Sequence, residues 1–422
     1  MLTQFISGLK MERLTGISFQ CSEQPSQPCH GILNLEIMPA NRTILVIMLI
    51  AILVTVCVEP YTPEIRESQE SLVVEGLLTN QPGIQTIYIS RSSTFSEPAL
   101  IPESYCQVQV IDENGNSYWF YDQGEGDYQC LMTASQLVRG TAYKLSIVTI
   151  NGKEYESDYV LLPSPCPSID SVYFEIETVE TSDPEESLEG VQFYIDIDAG
   201  EDEARNYRWE LVETWEYYAV HIIQYYYDGT LHEMDDPFKY YHCWYTGRIN
   251  KILTASTKFA VSNRINKYPL HFVSSETLRL QVKYSLLVKQ FSVSDDAFEY
   301  WDQMRKQQQE SGGLYETQPL QIRGNVHNVN DPDELVLGFF HVSSSSEKRI
   351  FIDVHRELKF PRSECTMDTI ESLDNIPGYL PRPFYMISLS EMGKGPPYGV
   401  GWGICFDCTT EGGSTVKPDF WE

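Results

Sequence analysis

Cysteines, histidines and clustered carboxylates are the side chains of this sequence with reactive chemistry. Cys405-Phe-Asp-Cys408 has the C-x-x-C spacing of a thiol–disulfide motif. A redox pair of that kind needs a helix N-terminus in a βαβ setting to lower its thiol pKa. This one follows Gly399-Val-Gly-Trp-Gly403 at the end of a strand-patterned chain. Structural disulfides to Cys365, Cys243 or Cys166, or a local bridge, are the expected reading, with a four-cysteine zinc site as the lesser alternative. Cys106 and Cys130 flank one hairpin pattern and could pair across it. The odd number of cysteines beyond Cys57 leaves at least one free thiol.

His221, His232 and His242 fall among Glu233, Asp235, Asp236 and Cys243, residue types that could ligate zinc. No pair among them has helical or knuckle spacing, so single hydrogen-bonding histidines on aromatic strands are expected. Asp235-Asp236 and Asp331-Pro-Asp-Glu334 lack the alternating ligands and glycine of a calcium loop and read as solvated turns. G-x-S-x-G, H-E-x-x-H and phosphate-cradling loops are missing. The expectation is therefore no catalytic residue, no metal and no cofactor.

Aromatics offer a different chemistry, that of contact. Tyr207 to Tyr245 holds 13 of them in 39 residues. Trp209, Trp215, Tyr217, Tyr218, Tyr225, Tyr226, Tyr227, Tyr240, Tyr241 and Trp244 are the candidate binding residues. Consecutive aromatics put rings on both faces of a strand. Two readings stand: a core with a hydroxyl-decorated surface, or a face for a glycan, a peptide or a membrane-protein partner.

Thirteen uncharged residues, Ile44 to Val56, run up to Cys57. That is shorter than the about 20 residues of a spanning helix, and within the roughly 7–15 of a secretory signal core. Met38 supplies a start and Arg42 a basic flank. Residues 1–37 are then expected to be an upstream over-extension of the reading frame, and 38–56 a lipoprotein signal peptide. Leu53, Val54 and Thr55 suit the positions before a lipidated cysteine, whereas Val56 departs from the small residue that the peptidase pocket wants. Cys57 is the expected lipidation site, and a membrane anchor follows from it. The chain carries 60 Asp plus Glu against 30 Lys plus Arg, a net charge of -30. Removing residues 1–56 takes away three acids and three bases and leaves that figure unchanged. Phosphate backbones repel such a chain, which excludes a nucleic-acid partner.

The elements that must position these groups are mostly strands. Residues 57–70 are polar and proline-bearing and read as a tether. From Ser71, β-branched runs alternate with turn signals at Gln81-Pro82-Gly83, Asn114-Gly115 and Asn151-Gly152. An immunoglobulin-like β-sandwich is expected over 71–165, and a larger β-rich domain over 168–422. One amphipathic helix is expected: Ser294 caps it, and Ala297, Tyr300, Trp301 and Met304 form its apolar stripe. The fold class is mainly β.

The segments GLYETQPLQIRGNVHNVNDPDELVLGFFHVS (313–343), EKRIFIDV (347–354) and CFDCTTEGGSTVKPDFWE (405–422) resemble a family of Bacteroidota lipoproteins labelled domain of unknown function 4249. The terminal C-x-D-C…GG-x-x-x-K-P-D-F-W is the most specific part of the likeness. The resemblance implies a lipid-anchored outer-membrane protein, periplasmic or surface-exposed, with a TonB-dependent receptor as partner and a part in nutrient uptake. No catalytic residue carries over from it. A non-enzymatic binding or docking accessory is the expected role. An envelope hydrolase of glycans or peptides, and a structural or adhesion lipoprotein, are the alternatives.

Overall fold

The computed structural model describes residues 71–93, 101–181, 187–310, 322–353, 358–360, 365–376 and 382–421. Before them it describes only the paired dipeptides Thr15–Gly16 (β1) and Glu36–Ile37 (β2). The chain divides into two compact units, Met1–Glu67 and Ser68–Glu422. Cys57 and the tether lie outside the described residues. Among its described residues the second unit is mainly β, with one α-helix.

Its first part is a sandwich. One layer holds β3 (Leu72–Thr79), β4 (Gly83–Arg91), β8 (Asp127–Met132) and β7 (Ser117–Gly124). The other holds β6 (Gln107–Asp112), β9 (Ala142–Val148), β10 (Glu154–Ser157) and β20 (Val326–Asn328). Short β5 (Ile101–Pro102) and β11 (Val160–Leu161) pair with β4 and β9. Alternate residues point inwards, so Leu72, Val74 and Leu78 share one buried core with Val108, Val110, Leu145 and Ile147. The hairpin at Asn114-Gly115 forms as its sequence predicts. Asp112 Oδ1 accepts from the backbone N–H groups of Asn114 and Asn116, each at 2.9 Å, and Gly115 takes φ +86°. The same core also takes Val326, Val336, Phe340 and Val342. Strands from beyond residue 325 therefore complete the sandwich expected over 71–165.

The strand that brings them is β21 (Val336–Asp353). Val336–Ser343 pairs parallel with β3, and Ser344–Asp353 pairs antiparallel with β19 (Lys283–Ser292). Gly338 permits the close approach. Its φ is +87°, and a Cβ there would lie 2.0 Å from the Val74 carbonyl oxygen, so only glycine fits. Through β21, one hydrogen-bonded sheet continues from the sandwich into β14 (Asn206–Tyr218) and β17 (His242–Ser256). Behind this second half packs a three-stranded sheet of β12 (Ser171–Glu180), β13 (Ser187–Asp198) and β18 (Arg264–Ser274). Phe193, Ile195 and Leu270 there bury Trp209, Leu211, Tyr284 and Leu286.

Helix α1 (Asp295–Glu310) lies where the periodicity predicts. Ser294 Oγ accepts from the Ala297 N–H at 3.2 Å. Ala297 and Tyr300 are buried, with Trp301 and Met304 beside them, against Phe291 and Phe339 of the long sheet. A small sheet of β16 (Leu231–Glu233), β15 (Tyr225–Tyr227), β23 (Phe384–Ser388), β24 (Tyr398–Val400) and β22 (Asp368–Ile370) surrounds Met386.

Two disulfides staple the C-terminal region, Cys243–Cys408 and Cys365–Cys405. The C-x-x-C cysteines thus go to separate partners, which rules out the local bridge and the zinc alternative. Cys106, Cys130 and Cys166 are free thiols, so Cys106 and Cys130, which could have paired across their hairpin, do not. Tyr128, not Cys130, is the β8 side chain that reaches Cys106. Its hydroxyl accepts from the Cys106 N–H at 2.9 Å and donates to the Glu103 carbonyl at 2.8 Å.

Candidate binding groove

Period-two alternation decides what lines the outer face of the long sheet. On β14, Trp209 and Leu211 face the core, which turns Arg208 and Glu210 outwards. On β19, Tyr284, Leu286 and Val288 face the core, and Lys289 and Phe291 face out. On β21, Phe340 and Val342 enter the sandwich core, and His341 faces away from it. β3 adds Glu75 and Leu77, β4 adds Ile84 and Tyr88, and β17 adds Arg248. These residues enclose a cavity of about 510 Å³ at the seam of the two sheet halves. A second recess of about 310 Å³ shares Glu75, Arg208, Glu210, Arg248 and Lys289 and reaches Trp301 of α1. That size falls within the range of about 300–1,000 Å³ that small-molecule sites occupy.

The groove grades from a buried end to a charged mouth. Arg208 is 8% exposed, and its guanidinium lies 4.0 Å from the Trp301 ring centroid, a cation–π contact. Arg208 Nη1 sits 2.8 Å from Glu210 Oε1 yet is out of line for a hydrogen bond to it. The separation marks an ion pair, and the direction leaves that N–H unmatched. His341 is 2% exposed, and neither of its ring nitrogens has a hydrogen-bond partner among the described residues. Burial pushes its pKa well below the usual 6.5, and the Arg208 charge adds to that. It is neutral at pH 7, with one donor and one acceptor open. Lys289 is half-buried, and Glu75, Arg248 and Glu347 are exposed at the rim. Arg248 and Lys289 have no ion-pair partner within 4.0 Å among the described residues. Three bases thus face three acids, in a chain that elsewhere has twice as many acids as bases.

The residues singled out by sequence lie elsewhere. Of the ten candidate aromatics, only Tyr218 is exposed, at 43%. Trp209, Tyr217, Tyr225 and Trp244 are buried; Trp215, Tyr226, Tyr227, Tyr240 and Tyr241 are half-buried. Tyr217 donates to the Cys408 carbonyl at 2.6 Å, Trp215 stacks on Tyr245 at 4.3 Å, and Tyr226 stacks on His232 at 4.6 Å. Most of the run thus contributes to packing, the first of its two readings, with Tyr218 as its exposed candidate. Large exposed apolar side chains are spread over the surface, with Ile84, Tyr121 and Leu131 of the sandwich at 65%, 69% and 73% and Phe259, Met392 and Trp402 outside it at 96%, 87% and 77%. The three histidines do not converge. His242 bonds Glu216 at 2.7 Å, His232 bonds Asp228 at 3.2 Å, and His221 lies against Phe406. Asp236 accepts from the Phe238 N–H at 3.0 Å, a turn contact. Among the described residues, no three His, Cys, Asp or Glu side chains are placed to hold a metal ion.

Residues 58–349 match the family described as Domain of unknown function (DUF4249). The chain belongs to that family. The matched span starts directly after Cys57 and takes in every residue that lines the groove. Residues 405–422, the most specific part of the sequence resemblance, fall outside the match. No curated protein matches the chain.

Proposed function

We propose that this DUF4249 member is an envelope lipoprotein, anchored in the outer membrane through Cys57. Its β body serves as a non-enzymatic binding accessory of a TonB-dependent receptor in nutrient uptake. One observation carries the binding role: the groove at the sheet seam keeps desolvated polar groups, His341 above all, without intramolecular partners among the described residues. A fold gains nothing from that arrangement, since each unmatched buried group costs about 1–3 kcal/mol. A ligand that completes their hydrogen bonds explains it. The anchor rests on the apolar run that stops at Cys57 and on the polar stretch after it, and the receptor rests on the family resemblance. Both are tested together by isolating the tagged full chain from its own cells in mild detergent. The expected result is an acylated N-terminus at Cys57 by mass spectrometry and a copurifying receptor barrel. An unacylated chain that brings down no barrel overturns the proposal.

A further inference from the structure

We infer that the groove takes a small solute by its carboxylate, which lies at the buried end between Arg208 and His341, on either side of Trp301. Depth argues for the anion. Among the charged or titratable groups that line it, Arg208 and His341 are the most buried, and both ring nitrogens of His341 are open. Half-buried Glu210 stands 2.8 Å from Arg208 Nη1, and the acids Glu75 and Glu347 are exposed at the rim. A guanidinium matches a carboxylate in geometry and charge. The neutral imidazole adds a donor from whichever nitrogen carries the proton. Lys289 stands across from Glu347, six residues along β21 from His341, and adds its charge nearer the mouth.

Rim charge argues about the rest of the ligand. Glu75 and Glu347 repel a second anionic group near the mouth and accept from ammonium or hydroxyl groups there. A multiply charged phosphate is thereby disfavoured. A monocarboxylate whose other end is cationic or hydroxylated is favoured, and apolar contact is available from Leu77, Ile84 and Phe291. Two sources carry that chemistry, the C-terminus of a short peptide and an acidic sugar. About 510 Å³ holds either as a two- or three-unit fragment. The inference rests on the binding role proposed above, and needs neither the anchor nor the receptor.

The test is calorimetric titration of the purified full chain with trialanine, trialanine amide and a galacturonic acid disaccharide. Saturable binding is expected from at least one carboxylate probe at millimolar concentration. If the peptide acid binds, its amide should be at least about tenfold weaker. If only the sugar acid binds, the source is a glycan. Arg208→Gln should weaken the active probe about fivefold or more, with thermal melting to show that the variant is folded. His341→Leu should weaken it similarly without unfolding the chain. Equal binding of acid and amide, an unaffected Arg208→Gln, or no saturation by either carboxylate overturns the assignment. A barrel that copurifies while these titrations fail would remove the ligand class and leave the accessory role standing.

Discussion

His341→Leu tests whether the groove is maintained against the interest of the fold. The imidazole sits on the outer face of β21 beneath α1, with its ring 5.9 Å from Trp301 and 6.4 Å from Phe339. Removing two desolvated, unmatched nitrogens recovers about 1–3 kcal/mol, and leucine is of similar volume. The variant should therefore be more stable than the native chain by roughly that amount, as a higher urea midpoint at unchanged slope. Most core substitutions destabilise, so the sign is informative. A second reading comes from pH. The folded pKa of His341 is depressed, so the unfolded chain binds a proton first as the pH falls below 6.5. Stability is then lost as pH drops, by up to about 1.4 kcal/mol per pH unit for each such histidine. His271 behaves alike: burial, with Arg279 and Lys251 adding, holds it at about 4. Between pH 6.5 and 5.5 these two histidines should add a stability slope that rises from about one proton towards two, and the variant should lose half of that contribution. A variant less stable by more than about 1 kcal/mol, or one with the native pH slope, refutes the reasoning.

Other outcomes follow from single contacts. Gly338→Ala forces a Cβ against the Val74 carbonyl at a positive φ and should cost more than about 2 kcal/mol in urea unfolding. Alkylation of the denatured, unreduced chain should label Cys106, Cys130 and Cys166 and spare Cys243, Cys365, Cys405 and Cys408; peptide mapping reads this directly. Cys243→Ala with Cys408→Ala opens a link between residues 165 apart and should lower stability by up to about 5 kcal/mol in the chain-entropy limit. Trp301→Ala should weaken carboxylate binding and stability together, and Trp301→Phe should restore most of both, because the ring face under Arg208 returns.

Local features were legible in the sequence and nonlocal ones were not. Asn114-Gly115 turns a hairpin because its dihedral demand is met within four residues, and α1 is announced by Ser294 and the stripe from Ala297 to Met304. The run from Val336 to Asp353 also reads as strand. Nothing in it says that its first half will lie along β3 and its second along β19, since that choice is made by residues far away in sequence. The aromatic run left two readings open for a related reason. Density suggested a contact surface, but Tyr207 and Trp209 are almost wholly buried beneath the three-stranded sheet. The groove was invisible because Glu75, Arg208, Arg248, Lys289 and Glu347 come from five strands, each an ordinary outward charge by alternation. The one available signal was His341, a titratable residue inside the apolar run Leu335-Val-Leu-Gly-Phe-Phe-His-Val342.

Outward positions on a sheet are polar because they ordinarily meet water, which satisfies them without any protein partner. At the seam that logic fails, because α1 covers part of the same face with Tyr300 and Trp301. Arg208 and His341 thus lose water on a surface that offers few acceptors or donors in exchange. Arg208 is compensated by the Trp301 face and by the nearby charge of Glu210. His341 has no such compensation among the described residues. A leucine at that place would continue the Phe339 and Trp301 packing, and one substitution would supply it. The imbalance between these two neighbours locates the reason for the groove in what enters it, and makes the stability of the His341 variant the measurement on which the binding role depends.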